Sequence, residues 1–273
     1  MPDCVCSAYK IVRTRIGSVH TCLWPYGATS RRKIDATHSC PTEARSWRPI
    51  CAADWTERES VLIDPGLISK LDTHLELAIP DAARFLVVTD DHVAGLYAEE
   101  VAASLQKSGC DAELFVVPSG EVSKSLVQAS ALYDHLAKGC YSRDSAIIAV
   151  GGGVVSDLAG FVAATWMRGI GFVICPTTLE AAVDASVGGK TAVNHPAGKN
   201  LIGAFHQPRA VLIDPNCLAT LPDREIRAGL AESIKHGAIR DPAFLGWHEE
   251  HRQAILAKEP AIMAKLIEQN VRI

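Results

Sequence analysis

From residue 61 onward the chain alternates short β-branched runs with longer amphipathic stretches, and this restricts the fold more than any other feature of the sequence. Residues 85–88, 113–117, 146–150, 172–175 and 211–213 are apolar at nearly every position, the pattern of strands covered on both faces. Between the first three, residues 93–108 and 123–138 carry Leu and Ala at three- and four-residue spacing, as helices do. Strand, helix and strand in turn mean a parallel sheet with helices packed over it, because a parallel crossover needs a long connection. After Pro222 residues 223–239 and 242–272 read as helices, and no further strand is expected. The expected fold class is α/β: a parallel-sheet domain over residues 53–221, followed by the beginning of an all-helical region over residues 222–273.

The first 52 residues follow other rules. They carry a net charge of +5 against −9 for the rest, and five of the nine cysteines at irregular spacing with no CxxC pair. A zinc knuckle needs paired ligands at close spacing, and an odd cysteine total opposes a disulfide framework. Acid-poor and rich in Arg and Ser, the segment shares the composition of organelle transit peptides without their sustained apolar periodicity. It is expected to be an atypical, disordered extension outside the fold. With 48% hydrophobic and 21% charged residues, the whole chain has the composition of a globular protein. Its net charge of −4 provides no basic field for nucleic acid. No apolar run approaches the ~20 residues that cross a bilayer, and the N-terminus lacks a secretory core, so no membrane partner and a cytoplasmic address are expected.

Ligands of open parallel sheets sit at the carboxyl ends of the strands. After residue 150 comes Gly151-Gly152-Gly153-Val154-Val155-Ser156-Asp157, a glycine turn into a helix start, where backbone N–H groups and the helix dipole can receive a phosphate. Ser156 replaces the last glycine of the GxGxxG fingerprint, so a plain tight turn stays open. The run ending Gly188-Gly189-Lys190-Thr191 looks like a Walker A loop, but Asp184 stands six places before Lys190 where that loop has glycine. What remains is Asp184, Lys190, Asn194, His195, Lys199 and Asn200, a set suited to an anionic, polyhydroxylated ligand or a solvated polar loop. Further on, Glu232, Lys235 and His236 share one helix face, either as a metal carboxylate with a neighbouring cation or as an exposed ion pair.

At these residues the chain resembles a known family. The glycine turn through Phe161, Met167-Arg168-Gly169, Pro176-Thr177-Thr178, Val183-Asp184, the run from Ser186 to Pro196, Gly198-Lys199-Asn200, Thr220-Leu221-Pro222 and Gly229 through Lys235 closely resemble 3-dehydroquinate synthase. The resemblance is specific over residues 146–239 and extends weakly back to about residue 61. It implies an NAD-binding α/β domain followed by a helical metal- and substrate-binding domain. It also implies a reaction of the shikimate pathway: 3-deoxy-D-arabino-heptulosonate 7-phosphate, a small sugar phosphate, is cyclised to 3-dehydroquinate with loss of phosphate. NAD+ transiently oxidises a ring hydroxyl, which acidifies the neighbouring C–H, and is regenerated. A divalent metal, usually Zn2+ with Co2+ as a second candidate, polarises the oxidised oxygen.

Position by position, the resemblance implies that Asp90 holds an NAD ribose and that Glu121 and Lys124 also contact the nucleotide. Gly152 and Gly153 approach the pyrophosphate, with Asp157, Thr177, Thr178 and Thr220 around the nicotinamide half. Asp184, Lys190, Lys199, Asn200 and Lys235 match substrate-binding positions. Arg168 matches an arginine that reaches the neighbouring subunit, implying a homodimer, and Glu232 matches the carboxylate metal ligand. His92, Ser156, Ala182 and Ala185 depart from the common pattern, and His92 is expected to weaken a cofactor contact. The family takes two histidine ligands from a later segment, so this chain is expected to be truncated before them and to supply one metal ligand, with its own activity in question. The rival readings are a related sugar-phosphate cyclase, a metal-dependent polyol dehydrogenase and a non-catalytic NAD-binding fragment.

Overall fold

The computed structural model describes residues 10–13 and 60–273; the remainder of the basic N-terminal segment lies outside the described residues. Nine strands are described: β1 (Lys10–Arg13), β2 (Ser60–Ile63), β3 (Arg84–Asp90), β4 (Asp111–Val117), β5 (Ser145–Gly151), β6 (Gly171–Pro176), β7 (Lys190–His195), β8 (Gly198–Phe205) and β9 (Ala210–Ile213). Eight α-helices accompany them: α1 (Leu71–Ala78), α2 (Glu99–Lys107), α3 (Leu126–Lys138), α4 (Gly153–Thr165), α5 (Asp223–Arg240), α6 (Pro242–Glu250), α7 (Arg252–Leu256) and α8 (Pro260–Arg272). Seven strands form one sheet in the order β1-β2-β9-β6-β5-β3-β4, parallel throughout except for the antiparallel β1. All five strands expected from the apolar runs are present.

Strand residues alternate between the two sides of this sheet, and both sides are covered over its central strands, while the edge strand β4 is partly exposed. Val61, Leu86, Ile147, Phe172 and Val211 face the layer built by α3, α4 and α8. Their neighbours Leu62, Phe85, Ile148, Val173 and Leu212 face α1 and α2. This two-sided cover explains why the strands are continuously apolar. The expected helix over residues 93–108 forms as a π-turn (Ala94–Ala98) running into α2. α3 begins where Ser125 caps it, its hydroxyl accepting from the Gln128 N–H at 3.4 Å.

Residues 10–13 depart from the expectation that the first 52 residues lie outside the fold, since β1 pairs with β2 at the edge of the sheet. Two other departures from the sequence reading have local causes. Residues 188–205 contain the two-stranded antiparallel hairpin β7–β8, turned at Pro196 and Ala197. The expected single helix over residues 242–272 is three helices. His251 leaves helical geometry after α6 (φ −101°), Lys258 adopts φ +57°, and Glu259, preceding Pro260, is extended (ψ 119°) as proline requires of its predecessor. Lys258 holds this break in place, donating to the Leu221 carbonyl at 2.7 Å and pairing with Asp223 at 3.2 Å.

Candidate active site

The carboxyl ends of β3, β5 and β6 carry the residues expected to meet a dinucleotide. Asp90 closes β3, and its Oδ1 accepts from the backbone N–H groups of His92 and Val93, both at 3.0 Å. The His92 contact is a backbone one that any residue there would keep. Gly151 ends β5, and Gly152 caps α4 with its neighbours' N–H groups directed outward at the helix N-terminus. A side chain at Gly152 would lie 3.0 Å from Thr178 Cγ2, so a Cβ there would crowd the cradle against Thr178. Thr177, buried at the end of β6, is tied through its N–H to the Gly151 carbonyl at 2.9 Å, and its Oγ1 has no partner among the described residues. An open cradle and an orphaned hydroxyl beside it fit a dinucleotide's pyrophosphate and sugar.

Three of the five substrate-side candidates, Asp184, Lys190 and Asn200, converge on a neighbouring cleft of about 520 Å³. Asp157, Asp184, Lys190 and Asn200 supply its polar lining, with Leu201 and Phe205 of β8 as an apolar lip. The hairpin is pressed against α4: a side chain at Gly160 would meet Thr191 Cγ2 at 2.4 Å. Asp157 pairs with Lys124, a nearly buried ion pair at the floor. Burial raises the Asp157 pKa above the usual carboxylate range, opposed by Lys124. Glu121, on the turn before Lys124, accepts from Asn194 Nδ2 at 2.7 Å and pairs with Lys199 at 3.4 Å. Burial works against its ionisation, but the Asn194 hydrogen bond, Lys199 and Lys124 together hold its pKa below the ordinary value.

α5 adds the third component. Its buried stripe is Ile226, Gly229, Ser233 and Gly237. Gly229 lets α5 sit directly on Leu179 and Glu180, beside Thr177 and Thr178. Glu232 and Lys235 form an ion pair, which together with Asp184 raises the Lys235 pKa although partial desolvation opposes it. His236 does not share their surroundings: it bonds Asn270 Oδ1 of α8 at 2.9 Å. His248 bonds Ser233 at 2.7 Å and the Phe244 carbonyl at 2.6 Å. Both histidines are therefore spent on helix packing. Among the described residues no group of three potential ligands includes Glu232, and the one such group is the half-buried Asp90 with the exposed Asp91 and His92. The described residues do not by themselves make the expected metal site.

Lys199, Lys235 and Glu232 are not among the residues that line the cleft, and Arg168 and Thr220 also stand apart from it. Arg168 follows α4, whose 13 residues rise about 20 Å, so it lies toward the opposite end of the sheet from the glycine cradle. It sits at φ +70° beside Met167 at φ +48°, a left-handed turn of two non-glycine residues. Thr220 bonds the Tyr97 hydroxyl at 2.7 Å, and that hydroxyl also donates to the Cys217 carbonyl at 3.1 Å. Tyr97 escaped the sequence reading because its partners are more than a hundred residues away. Leu201 and Phe205 escaped it because the hairpin was read as a polar segment.

The geometry agrees with what comparison with known proteins finds. Residues 114–228 match the family model of the 3-dehydroquinate synthase N-terminal region. A 3-dehydroquinate synthase from Symbiobacterium thermophilum is 48% identical over 217 residues, 80% of this chain and 61% of that protein. Another from Xylella fastidiosa (strain 9a5c) is 51% identical over 211 residues, covering 76% of this chain and 53% of that one. Over this matched part the chain is similar to 3-dehydroquinate synthases. It spans little more than half the length of these family members. Among solved structures, the 2-epi-5-epi-valiolone synthase ValA from Streptomyces hygroscopicus subsp. jinggangensis 5008, with NAD+ and Zn2+ bound, superposes with a TM-score of 0.71 at 31% identity, covering 82% of this chain and 62% of that one. The glycine turn, the cleft residues from Asp157 to Asn200 and the threonine pair of β6 all fall inside the matched 3-dehydroquinate synthase segment.

Proposed function

We propose that this chain carries the NAD+-binding part and much of the substrate-binding part of a 3-dehydroquinate synthase, the lyase that converts 3-deoxy-D-arabino-heptulosonate 7-phosphate to 3-dehydroquinate and phosphate. The observation that carries the reading is the convergence of Asp157, Asp184, Lys190 and Asn200 on one cleft beside the glycine cradle. When bound, NAD+ supplies a hydride acceptor that later returns the hydride, so the reaction has no net redox change. Asp90 receives a ribose hydroxyl, and the N–H groups at the start of α4 receive the pyrophosphate. Thr177 and Thr178 border the nicotinamide half, and the Tyr97 hydroxyl holds Thr220 in position beside it.

The cleft residues and Lys235 bind and orient the sugar phosphate. Lys190 and Lys235 offer compact positive charge to its carboxylate and phosphate, while Asp184 and Asn200 accept and donate to its hydroxyls. A divalent metal, Zn2+ or Co2+, belongs to the same reading, but the described residues offer it Glu232 alone, and the binding roles of the cleft residues do not depend on it. The reading also includes a cytoplasmic homodimer in which Arg168 serves the neighbouring protomer's cleft. No helix among the described residues is long and apolar enough to cross a membrane. The incomplete ligand set supports a second reading, in which the chain by itself binds NAD+ without turnover.

The test is phosphate release from the heptulosonate phosphate by the purified chain with NAD+ and Zn2+, beside an intact family member as control. Phosphate release without accumulation of NADH supports the synthase. Accumulating NADH would point to a dehydrogenase and sink it. NAD+ binding without phosphate release, alongside an active control, selects the second reading.

A further inference from the structure

We propose that Asn194 is a positioning residue that couples the nucleotide-binding turn to the substrate-binding hairpin, so that the two halves of the site are set by one side chain. The inference rests on the functional reading above and on the resemblance, which implies that Glu121 and Lys124 contact the nucleotide and that Lys199 and Asn200 bind substrate.

Asn194 sits near the end of β7, facing the short 3-10 turn Glu121–Ser123 that follows β4. Its backbone N–H donates to the Lys124 carbonyl at 2.8 Å, and it forms an isolated parallel bridge with Ser125. Its side chain then spans both elements. Nδ2 donates to Glu121 Oε1 at 2.7 Å, and Oδ1 accepts from the Asn200 N–H at 2.9 Å. The amide orientation is fixed by its partners, since a carboxylate only accepts and a backbone N–H only donates. Glu121 Oε1 also faces Lys199 at 3.4 Å, so the nucleotide-side acid, the hairpin cation and Asn194 meet at one oxygen.

The second half of the coupling is conformational. Asn200 holds φ +57°, a left-handed backbone that costs most residues energy and asparagine least. The Asn194 bond to its N–H stabilises that conformation, and the Asn200 side chain lines the cleft. Only a short primary amide meets both demands. Aspartate keeps the acceptor for Asn200 but turns a second carboxylate toward Glu121, and alanine loses both bonds.

The experiment is calorimetric NAD+ binding to the full chain, with hydrogen exchange at the Asn200 amide as a readout that does not depend on cofactor. N194A is expected to weaken NAD+ binding about three- to tenfold, the scale of one ordinary net hydrogen bond. It is also expected to speed Asn200 exchange. N194D should weaken NAD+ binding at least as much while keeping the Asn200 amide protected, a split that general destabilisation of the hairpin would not produce. Combined with E121Q, N194A should add little further loss, because the two act through the same bond. Additive losses in that double variant, or unchanged NAD+ affinity in N194A when the unsubstituted chain binds, overturn the coupling alone. Failure of the unsubstituted chain to bind NAD+ overturns the functional reading together with the coupling that rests on it.

Discussion

One chemical change, glycine to alanine inside a helix, is expected to have opposite signs at two positions of this protein. In an open helix interior alanine is preferred over glycine by about 0.8–1.0 kcal/mol, because glycine loses more backbone freedom on folding. Gly246 of α6 is such a site: a Cβ there would meet nothing within 4 Å. Gly229 of α5 is the contrary case. A Cβ there would lie 2.6 Å from both the Glu180 backbone nitrogen and Leu179 Cβ, distances that real Cβ atoms do not sustain. Leu179 is fully buried and Glu180 contributes main chain, so neither can yield by rotating a side chain. Overpacking of this kind costs about 1–3 kcal/mol, and contact with backbone places Gly229 at the upper end. Subtracting the propensity gain leaves G229A less stable by about 1–2 kcal/mol. At about 2–4 °C per kcal/mol for a chain of this size, Tm should fall by roughly 2–8 °C, whereas G246A should raise it by roughly 2–4 °C. Thermal unfolding of both variants against the parent chain measures the two signs directly. A G229A chain as stable as G246A would refute the claim that α5 is seated by close backbone approach.

Three further outcomes follow from the packing. K124M leaves the Asp157 carboxylate largely buried without its cation and should lower unfolding free energy by about 2–3 kcal/mol in urea titrations, less than for a fully buried pair; K124M/D157N should recover most of the loss. N270A removes the amide that joins Ser233 and His236 between α5 and α8, and should cost about 2–3 kcal/mol in the same assay, well above the cost of an exposed Asn substitution. Burial depresses the His74 pKa below its ordinary 6.5, with Asp64 and Asp72 opposing and Lys70 reinforcing. The unfolded chain therefore binds the extra proton first, so stability present above about pH 6.5 is lost as pH falls below it toward the folded-state pKa. H74Q should flatten this part of the stability profile, and an unchanged slope would exclude His74 as its source.

The parts of the fold legible in the sequence were those decided by short-range pattern. Runs such as residues 146–150 are buried on both faces, so no polar position interrupts them and the strands announce themselves. The hairpin was hidden for the opposite reason. In β8 solvent meets most positions, from Lys199 to Phe205, and its polar residues resemble a loop. The turn residues Pro196 and Ala197, followed by Gly198 at the start of β8, were the signal available. The break of the last helical region was half visible, since Pro260 marks it, but the φ of Lys258 depends on Leu221 and Asp223 in another element. At the site, motif and resemblance located Asp184, Lys190 and Asn200, whereas Tyr97 and the role of Asn194 depend on contacts that only the folded chain creates.

The pairing of β2 with β9 has a consequence in time. Ser60 aligns with Ala210, so β2 gains its parallel neighbour only after about 150 further residues have been joined. At about 5–20 residues per second, on the order of 10–30 s pass between synthesis of the two strands. Throughout that interval β3, β4, β5 and β6 can pair among themselves in sequence, while β2 waits with one edge unclaimed. Asp214 completes the late closure by accepting from the Gly66 and Ile68 N–H groups, fastening the turn after β2 to the end of β9. Limited proteolysis of ribosome-arrested chains should therefore cut around residues 60–70 in arrests that leave β9 inside the exit tunnel, and become protected once β9 has emerged. Early protection in the shorter arrests would show that β2 finds another partner first.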